Sequence, residues 1–142
     1  MVERTLVLLA IAGGVALLIA AGRAFVAARR RRALAAAPFI PAESADGAAP
    51  VRLLSFSTPQ CQQCRLLQKP ALAEVAAQTE RVEILSIDAL EEPELAERYG
   101  ILTVPSTVVL APNGRASAVN YGFAPAKLLL EQIEGASLAL VH

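Results

Sequence analysis

Apolar and polar positions divide the chain into a uniform stretch and a patterned one. From Thr5 to Gly22 no residue is charged, and most are Leu, Ile, Val or Ala. Eighteen residues in a helix rise about 27 Å, close to the ~30 Å hydrocarbon core of a bilayer, and Arg23 can snorkel to lengthen the span. The pattern predicts a single transmembrane helix. A cleaved leader is the rival reading, but it should have a basic start and a shorter apolar run. Here Glu3 offsets Arg4, and the dense positive charge follows the apolar residues. Gly13-Gly14 would let a second helix approach closely, although paired glycines do not by themselves mark a dimer face.

Residues 33–50, Ala33 through Pro50, are rich in Ala and Pro with Ser44, Asp46 and Gly47, a composition that buries little apolar surface and predicts a linker. Within it Phe39-Ile40 reads as a stray apolar pair, with a short edge strand as the competing reading.

Past the linker the period alternates between that of strands and that of helices. Val51–Ser57, with the apolar residues Val51, Leu53, Leu54 and Phe56, reads as a buried strand, and Gln62–Thr79 has helical spacing with Leu66, Leu67, Leu72, Val75 and Ala76 on its apolar side. Pro70 interrupts that helix by removing a hydrogen bond to the residue four back, which predicts a kink near Leu66. Val82–Asp88 predicts a second strand. Glu92–Tyr99 predicts a short helix, punctuated by Pro93 in its first turn and Gly100 beyond its end. Ser106–Ala111 and Ala116–Tyr121 flank Pro112-Asn113-Gly114 and predict a hairpin, with Asn-Gly supplying the positive φ angles of a tight turn. Pro125–Glu134 closes as a helix with Leu128, Leu129 and Ile133 inward. The predicted order is βαβαββα.

Charge changes this picture in one respect, topology. The 142 residues have no net charge, but residues 1–32 carry six arginines against Glu3, a net +5, and the remainder is −5. Arg23 and the run Arg29-Arg30-Arg31-Arg32 follow the apolar span closely enough to bias its orientation. By the positive-inside rule the N-terminus faces out and the rest of the chain faces the cytoplasm, with an extracytoplasmic domain as the alternative. The acidic remainder, and the presence of no aromatic but Phe25 among the arginines, argue against nucleic acid as a partner. The organisation expected is therefore 1–32 membrane anchor with basic flank, 33–50 linker and 51–142 domain.

The candidate chemistry lies between the first predicted strand and helix, in Cys61-Gln62-Gln63-Cys64. A Cys-x-x-Cys is compatible with half of a zinc site, a structural staple or a redox pair. Zinc takes four Cys or His ligands, and the chain offers these two cysteines and His142 at its end, so only an intersubunit site would serve. A staple closing so short a loop removes little unfolded-state entropy. A redox pair fits best: Cys61 falls at a helix N-terminus, where free N–H groups and the helix dipole stabilise a thiolate, and Cys64 lies one turn on, within reach for a disulfide. No cofactor and no intrachain metal site are expected.

Several ordered motifs over residues 51–135 or so resemble the thioredoxin family: Phe56, Cys61-Gln62-Gln63-Cys64, Ile87-Asp88, Tyr99-Gly100-Ile101-Leu102-Thr103-Val104-Pro105-Ser106, Asn113-Gly114 and Gly122. The resemblance implies an α/β fold, a mixed sheet flanked by helices, here with a trimmed N-terminus because the linker does not clearly supply the family's first strand and helix. It implies a cis Val104–Pro105 bond whose loop packs against the motif, and a substrate-binding role for Val104 and Pro105. It also implies thiol–disulfide exchange with protein substrates, with Cys61 attacking and Cys64 resolving, and an upstream disulfide reductase to return electrons. The chain departs from the family pattern at Gln60, where tryptophan is usual, and at Gln62-Gln63, where Gly-Pro is usual. Ser55 and Ile84 stand where the family keeps a buried aspartate and its lysine partner. These departures leave a second function open: a binding module that uses the groove around Pro105 to hold a membrane partner, with little or no turnover.

Overall fold

The computed structural model describes residues 2–39 and 49–138. Ile40, residues 41–48 of the expected linker, and the C-terminal residues to His142 lie outside the described residues. The elements run α1 (Val2–Leu34), β1 (Val51–Ser57), a π-helical turn (Cys64–Gln68), α2 (Lys69–Gln78), β2 (Val82–Asp88), α3 (Pro93–Arg98), β3 (Ser106–Leu110), β4 (Ala116–Tyr121) and α4 (Ala126–Leu138). The strands form one mixed sheet in the order β2-β1-β3-β4, with β1 and β2 parallel and the other neighbours antiparallel. β1 is central and buried on both faces, which is why its apolar residues Val51, Leu53, Leu54 and Phe56 do not keep to one face, and Arg52 and Ser55 are buried with them. On one face Leu53, Val109 and Ala111 pack with Val75 of α2 and with Leu129 and Ile133 of α4. On the other, Leu54, Phe56 and Val108 pack with Leu95, Ala96 and Tyr99 of the α3 region and with Ala33 of α1.

The helix that follows β1 differs from its sequence reading. The interruption falls where Pro70 predicts one, but as a single π turn in which the Lys69 N–H donates to the Cys64 carbonyl. The extra residue rotates the buried stripe to Cys64, Gln68, Ala71 and Val75, and leaves Leu66, Leu67 and Ala76 exposed. In α4, Leu129 and Ile133 face inward as expected, whereas Leu128 is exposed. The hairpin is also built differently. The Gly114 N–H donates to the Ala111 carbonyl (2.8 Å), and only Gly114 has positive φ, at 79°. Asn113 contributes its side chain instead, accepting the Arg115 N–H at 3.0 Å. This is the arrangement of a turn followed by one left-handed glycine, with a register irregularity beside it at Val109 and Leu110.

Ala33, where the composition predicts the start of a linker, lies inside α1. The helix continues unbroken from the apolar span into the domain, where Ala33 is 1% exposed. Leu34, Ala36 and Phe39 pack against the same cluster, and the Phe39 N–H donates to the Gly114 carbonyl (2.9 Å). The end of α1 thus supplies a helix on the sheet face that a trimmed domain would leave open. Arg29 makes this possible: its guanidinium lies over the Tyr121 ring, 4.1 Å from the centroid, with Phe25 at 5.8 Å. A planar cation stacked on an aromatic face can be buried where a lysine could not, a contact worth roughly 2 kcal/mol when desolvated. α1 also passes close over Gly100, where a Cβ would meet the Tyr121 hydroxyl at 3.2 Å and the Arg29 Cγ at 3.4 Å. Gly100, at φ 64°, ends α3 with paired bonds from Gly100 N–H to the Glu97 carbonyl and from Ile101 N–H to the Ala96 carbonyl.

Tyr99 fills the cluster beneath this crossing. Its ring stacks edge-on against Phe56 (6.5 Å between centroids), and its hydroxyl is buried with no hydrogen-bond partner among the described residues. Burial holds its pKa above the ordinary tyrosine value, with Arg98 opposing weakly. The folded state therefore keeps a proton that the unfolded chain releases first. Tyr99's contribution to stability is complete below about pH 10 and is lost as pH rises through the folded pKa. Tyr99→Phe should flatten this alkaline loss in the oxidised chain and be neutral or stabilising near pH 7, because it removes an unpaired buried hydroxyl. Thermal unfolding of the full chain in detergent between pH 7 and 11 checks both; an unchanged alkaline slope counts against it.

Candidate active site

β1 ends at Ser57 and delivers the chain through a turn, in which the Cys61 N–H donates to the Thr58 carbonyl (3.1 Å), to a helix that begins at Gln62. Cys61 is therefore at the helix N-terminus, where no preceding turn accepts the first N–H groups. Cys61 and Cys64 form a disulfide, with their Cα atoms 5.3 Å apart. The two sulfurs have different surroundings. Cys61 is partly exposed, and its sulfur accepts the Cys64 backbone N–H at 3.1 Å, a contact that favours a thiolate once the pair is reduced. Cys64 is buried at 7% exposure.

Beneath Cys64 is a cavity of ≈ 240 Å³ lined by Ser55, Ser57, Thr58, Cys64, Arg65, Gln68, Lys69, Leu72 and Ser86. Apart from Leu72 its walls are hydroxyl, thiol, amide and cationic, and no carboxylate lines it among the described residues. Ser55 is buried here and pairs in register with Ser86 across β1 and β2, whereas Ile84 pairs with Leu53 and packs into the apolar core. The Ser55 position therefore shares the cavity with Cys64, and the Ile84 position does not.

Gln68 was not singled out by the apolar pattern, because a glutamine four residues after Cys64 reads as surface. It is 1% exposed and grips the backbone of Ala124 with both ends of its amide: Nε2 donates to the carbonyl (3.1 Å), and Oε1 accepts the N–H (3.0 Å). This pins the cysteine-bearing helix to the segment after β4. That segment also reaches the proline loop, since the Gly122 N–H donates to the Pro105 carbonyl (2.9 Å). The Val104–Pro105 bond is cis. Phe56 pairs with Ser106, so Pro105 lies at the same end of the sheet as the strand terminus that leads to Cys61. The four residues singled out from sequence, Cys61, Cys64, Val104 and Pro105, thus come from two loops at one sheet end. Ser57, Ser86, Gln68 and Arg29 carry no motif and emerge only from the packing.

Comparison with known proteins gives a consistent result. The thioredoxin family model matches residues 43–135. The SPbeta prophage-derived thioredoxin-like protein YosR of Bacillus subtilis is 32% identical over 78 residues, covering 55% of this chain and 90% of its own. Thioredoxin of the same organism is 31% identical over 93 residues, covering 65% of this chain and 85% of its own. Among solved structures, a point-mutant thioredoxin from Halobacterium salinarum superposes with a TM-score of 0.56 at 28% identity, over 63% of this chain and 76% of that one.

Proposed function

The chain belongs to the thioredoxin family and is a thiol–disulfide oxidoreductase, and from that premise we propose that it works as a membrane-tethered enzyme on protein disulfides. The observation that carries the assignment of roles is the asymmetry of the pair: an accessible Cys61 sulfur at a helix N-terminus, and a buried Cys64. In the reducing direction the Cys61 thiolate attacks a substrate disulfide, the substrate S–S bond breaks, and a Cys61–substrate mixed disulfide forms. The released substrate thiolate takes up a proton. Cys64 loses its proton and attacks the Cys61 sulfur, releasing the second substrate thiol. The substrate gains two electrons and two protons, and the Cys61–Cys64 pair is oxidised. An upstream dithiol reductase must then restore it. The Val104 backbone would pair with an extended substrate, with Pro105 shaping the loop; their place at the sheet end to which β1 delivers Cys61 supports this role.

Membrane tethering is supported by α1, a helix long and apolar enough to cross a bilayer. A signal sequence meets the same criterion. The burial of Ala33 and the stacking of Arg29 favour an uncleaved helix, because removal of the apolar run would cut into the element that covers Tyr99 and Tyr121. The arginines that follow the span favour a cytoplasmic domain.

The test uses the full chain in sealed membranes. It should stay with the bilayer through alkaline carbonate extraction, resist protease added outside intact cells, and after reduction reduce insulin added to the cytoplasmic face. Replacing Arg29–Arg32 with neutral residues should weaken the orientation bias. Extraction by carbonate defeats the tether, external proteolysis defeats the side, and absence of reduction in favour of stable partner retention would support the binding module.

A further inference from the structure

The sheet has two ends, and α1 leaves the domain at the one that bears the chemistry. Tyr121 ends β4 opposite Ser106, beside the cis Val104–Pro105 bond, and Gly122 is hydrogen-bonded to the Pro105 carbonyl. Arg29 stacks on Tyr121 and passes over Gly100 at this end, whereas Phe39, ten residues later, is bonded to Gly114 in the hairpin turn at the opposite end. Traced backwards, α1 therefore runs up the domain from the hairpin end to the active-site end, and continues beyond it as the apolar span. The helix has no break between Gly22 and Arg29. At 1.5 Å per residue, the stacked arginine is about 10 Å past the end of the uncharged run, just outside a headgroup layer of roughly 5–8 Å.

Resting on the membrane-tethered reading above, we propose that the active-site end of the domain faces the bilayer from which α1 emerges, and that the substrate is a disulfide of another membrane-anchored protein, held within the first ~15 Å of the surface. The exposed apolar residues agree. Leu90 follows β2, Leu102 precedes the cis bond and Phe123 follows Gly122, all in loops at this end, and Leu66 projects from the first turns of the helix of Cys64; all four are exposed. On a domain facing open solvent such a crown would be an aggregation liability. Facing the interface, it borders an approaching juxtamembrane segment and headgroup region of matching polarity. A fixed spacing also raises the local concentration of disulfides at the matching height and excludes those held higher.

The experiment uses the full chain, reduced with dithiothreitol and freed of it, in vesicles that also hold a single-span peptide. The peptide carries a two-cysteine disulfide loop either directly after its span or beyond a 20-residue helical spacer, which lifts it about 30 Å. The direct disulfide should be reduced at least roughly tenfold faster than the lifted one. A flexible Gly/Ser insertion between Arg23 and Ala24 should abolish the preference while leaving insulin reduction unchanged. A seven-residue alanine insertion at the same point, about two helical turns, should move the preference to a disulfide raised about 10 Å. Equal rates for the two peptides with the unaltered chain, or a preference that survives both insertions, overturns the proposal. Failure to reduce either peptide or insulin overturns the oxidoreductase reading itself.

Discussion

Cys61→Ser is expected to reduce disulfide exchange by the full chain to the uncatalysed rate, and Cys64→Ser to leave the first attack intact but stop the reaction at the mixed disulfide. The difference follows from where the two sulfurs sit. Cys61 is reachable and has a backbone N–H aimed at its sulfur, so it is the group that a substrate can meet as a thiolate. A serine there keeps the hydrogen bond but has no accessible anion near neutral pH. Cys64 is buried and bonded to the Cys61 sulfur, out of a substrate's reach. Without it the mixed disulfide must wait for a thiol from solution, and its lifetime should lengthen roughly a thousandfold or more, since an intramolecular attack in fixed geometry outruns millimolar thiol by at least that factor. Alkylation of the reduced wild type supplies a check that needs no substrate. Cys61 should react well below the pH needed for a free thiol of pKa ≈ 8.5, and Cys64 should lag. Equal reactivity of the two, or exchange surviving in Cys61→Ser, would reverse the assignment.

Much of the domain was legible because its strands and helices obey simple periods. Val51, Leu53, Leu54 and Phe56 occupy both faces of β1 because both are covered, and the placement of Pro93, Gly100 and Gly114 announces where elements start and end. What the pattern misread is instructive. A run of four arginines looks like the edge of a structured element, because charge is costly to bury. Arg29 offsets part of that cost by laying its flat face on Tyr121, although its buried Nε and Nη2 have no hydrogen-bond partner among the described residues, and neither residue's place in the sequence signals the other. With the arginines taken as a boundary, the small residues after them read as a tether, although alanine at 33 is what lets the helix approach the sheet closely. Likewise the π turn at Cys64–Gln68 shifts the helix register by one residue. That shift turned Leu66 and Leu67 outward and Gln68 inward.

The site was legible to the extent that its residues lie in one motif. Cys61 and Cys64 stand three apart on one helix start, and Val104-Pro105 lies in a run that resembles a known family. The polar cavity under Cys64 has no such signature, because it is assembled from β1, β2 and α2 by register: Ser55 opposite Ser86, with Gln68 below. Resemblance could indicate that an aspartate was replaced at Ser55, but only the fold shows that, among the described residues, nothing else carboxylic lines the space.

That absence carries the second large effect. Resolution requires Cys64 to lose its proton in a buried site, where desolvation disfavours the thiolate. The cavity walls offer hydroxyls, an amide and cations, none of which is an efficient base near neutral pH. Turnover of a generic disulfide such as insulin should therefore be limited by resolution rather than by attack. Ser55→Asp places a carboxylate on the wall next to Cys64, and burial raises that carboxylate's pKa towards the range in which it exchanges a proton efficiently with a thiol. Decay of the mixed disulfide should accelerate by about 10²-fold, the lower end of what a positioned general base contributes. Its rate should rise with pH through the raised carboxyl pKa and then level, whereas the wild-type rate keeps climbing into the thiol range. The new carboxylate should cost about 1–3 kcal/mol of stability, offset in part by Arg65 and Lys69 on the same wall. Single-turnover decay in both proteins, followed from pH 5 to 9 with folding verified by thermal unfolding, decides the matter. If wild type already resolves as fast as it attacks, or if a folded Ser55→Asp chain decays at the wild-type rate, then proton removal from Cys64 is not the slow step and the hydroxyl-lined cavity is sufficient as it stands.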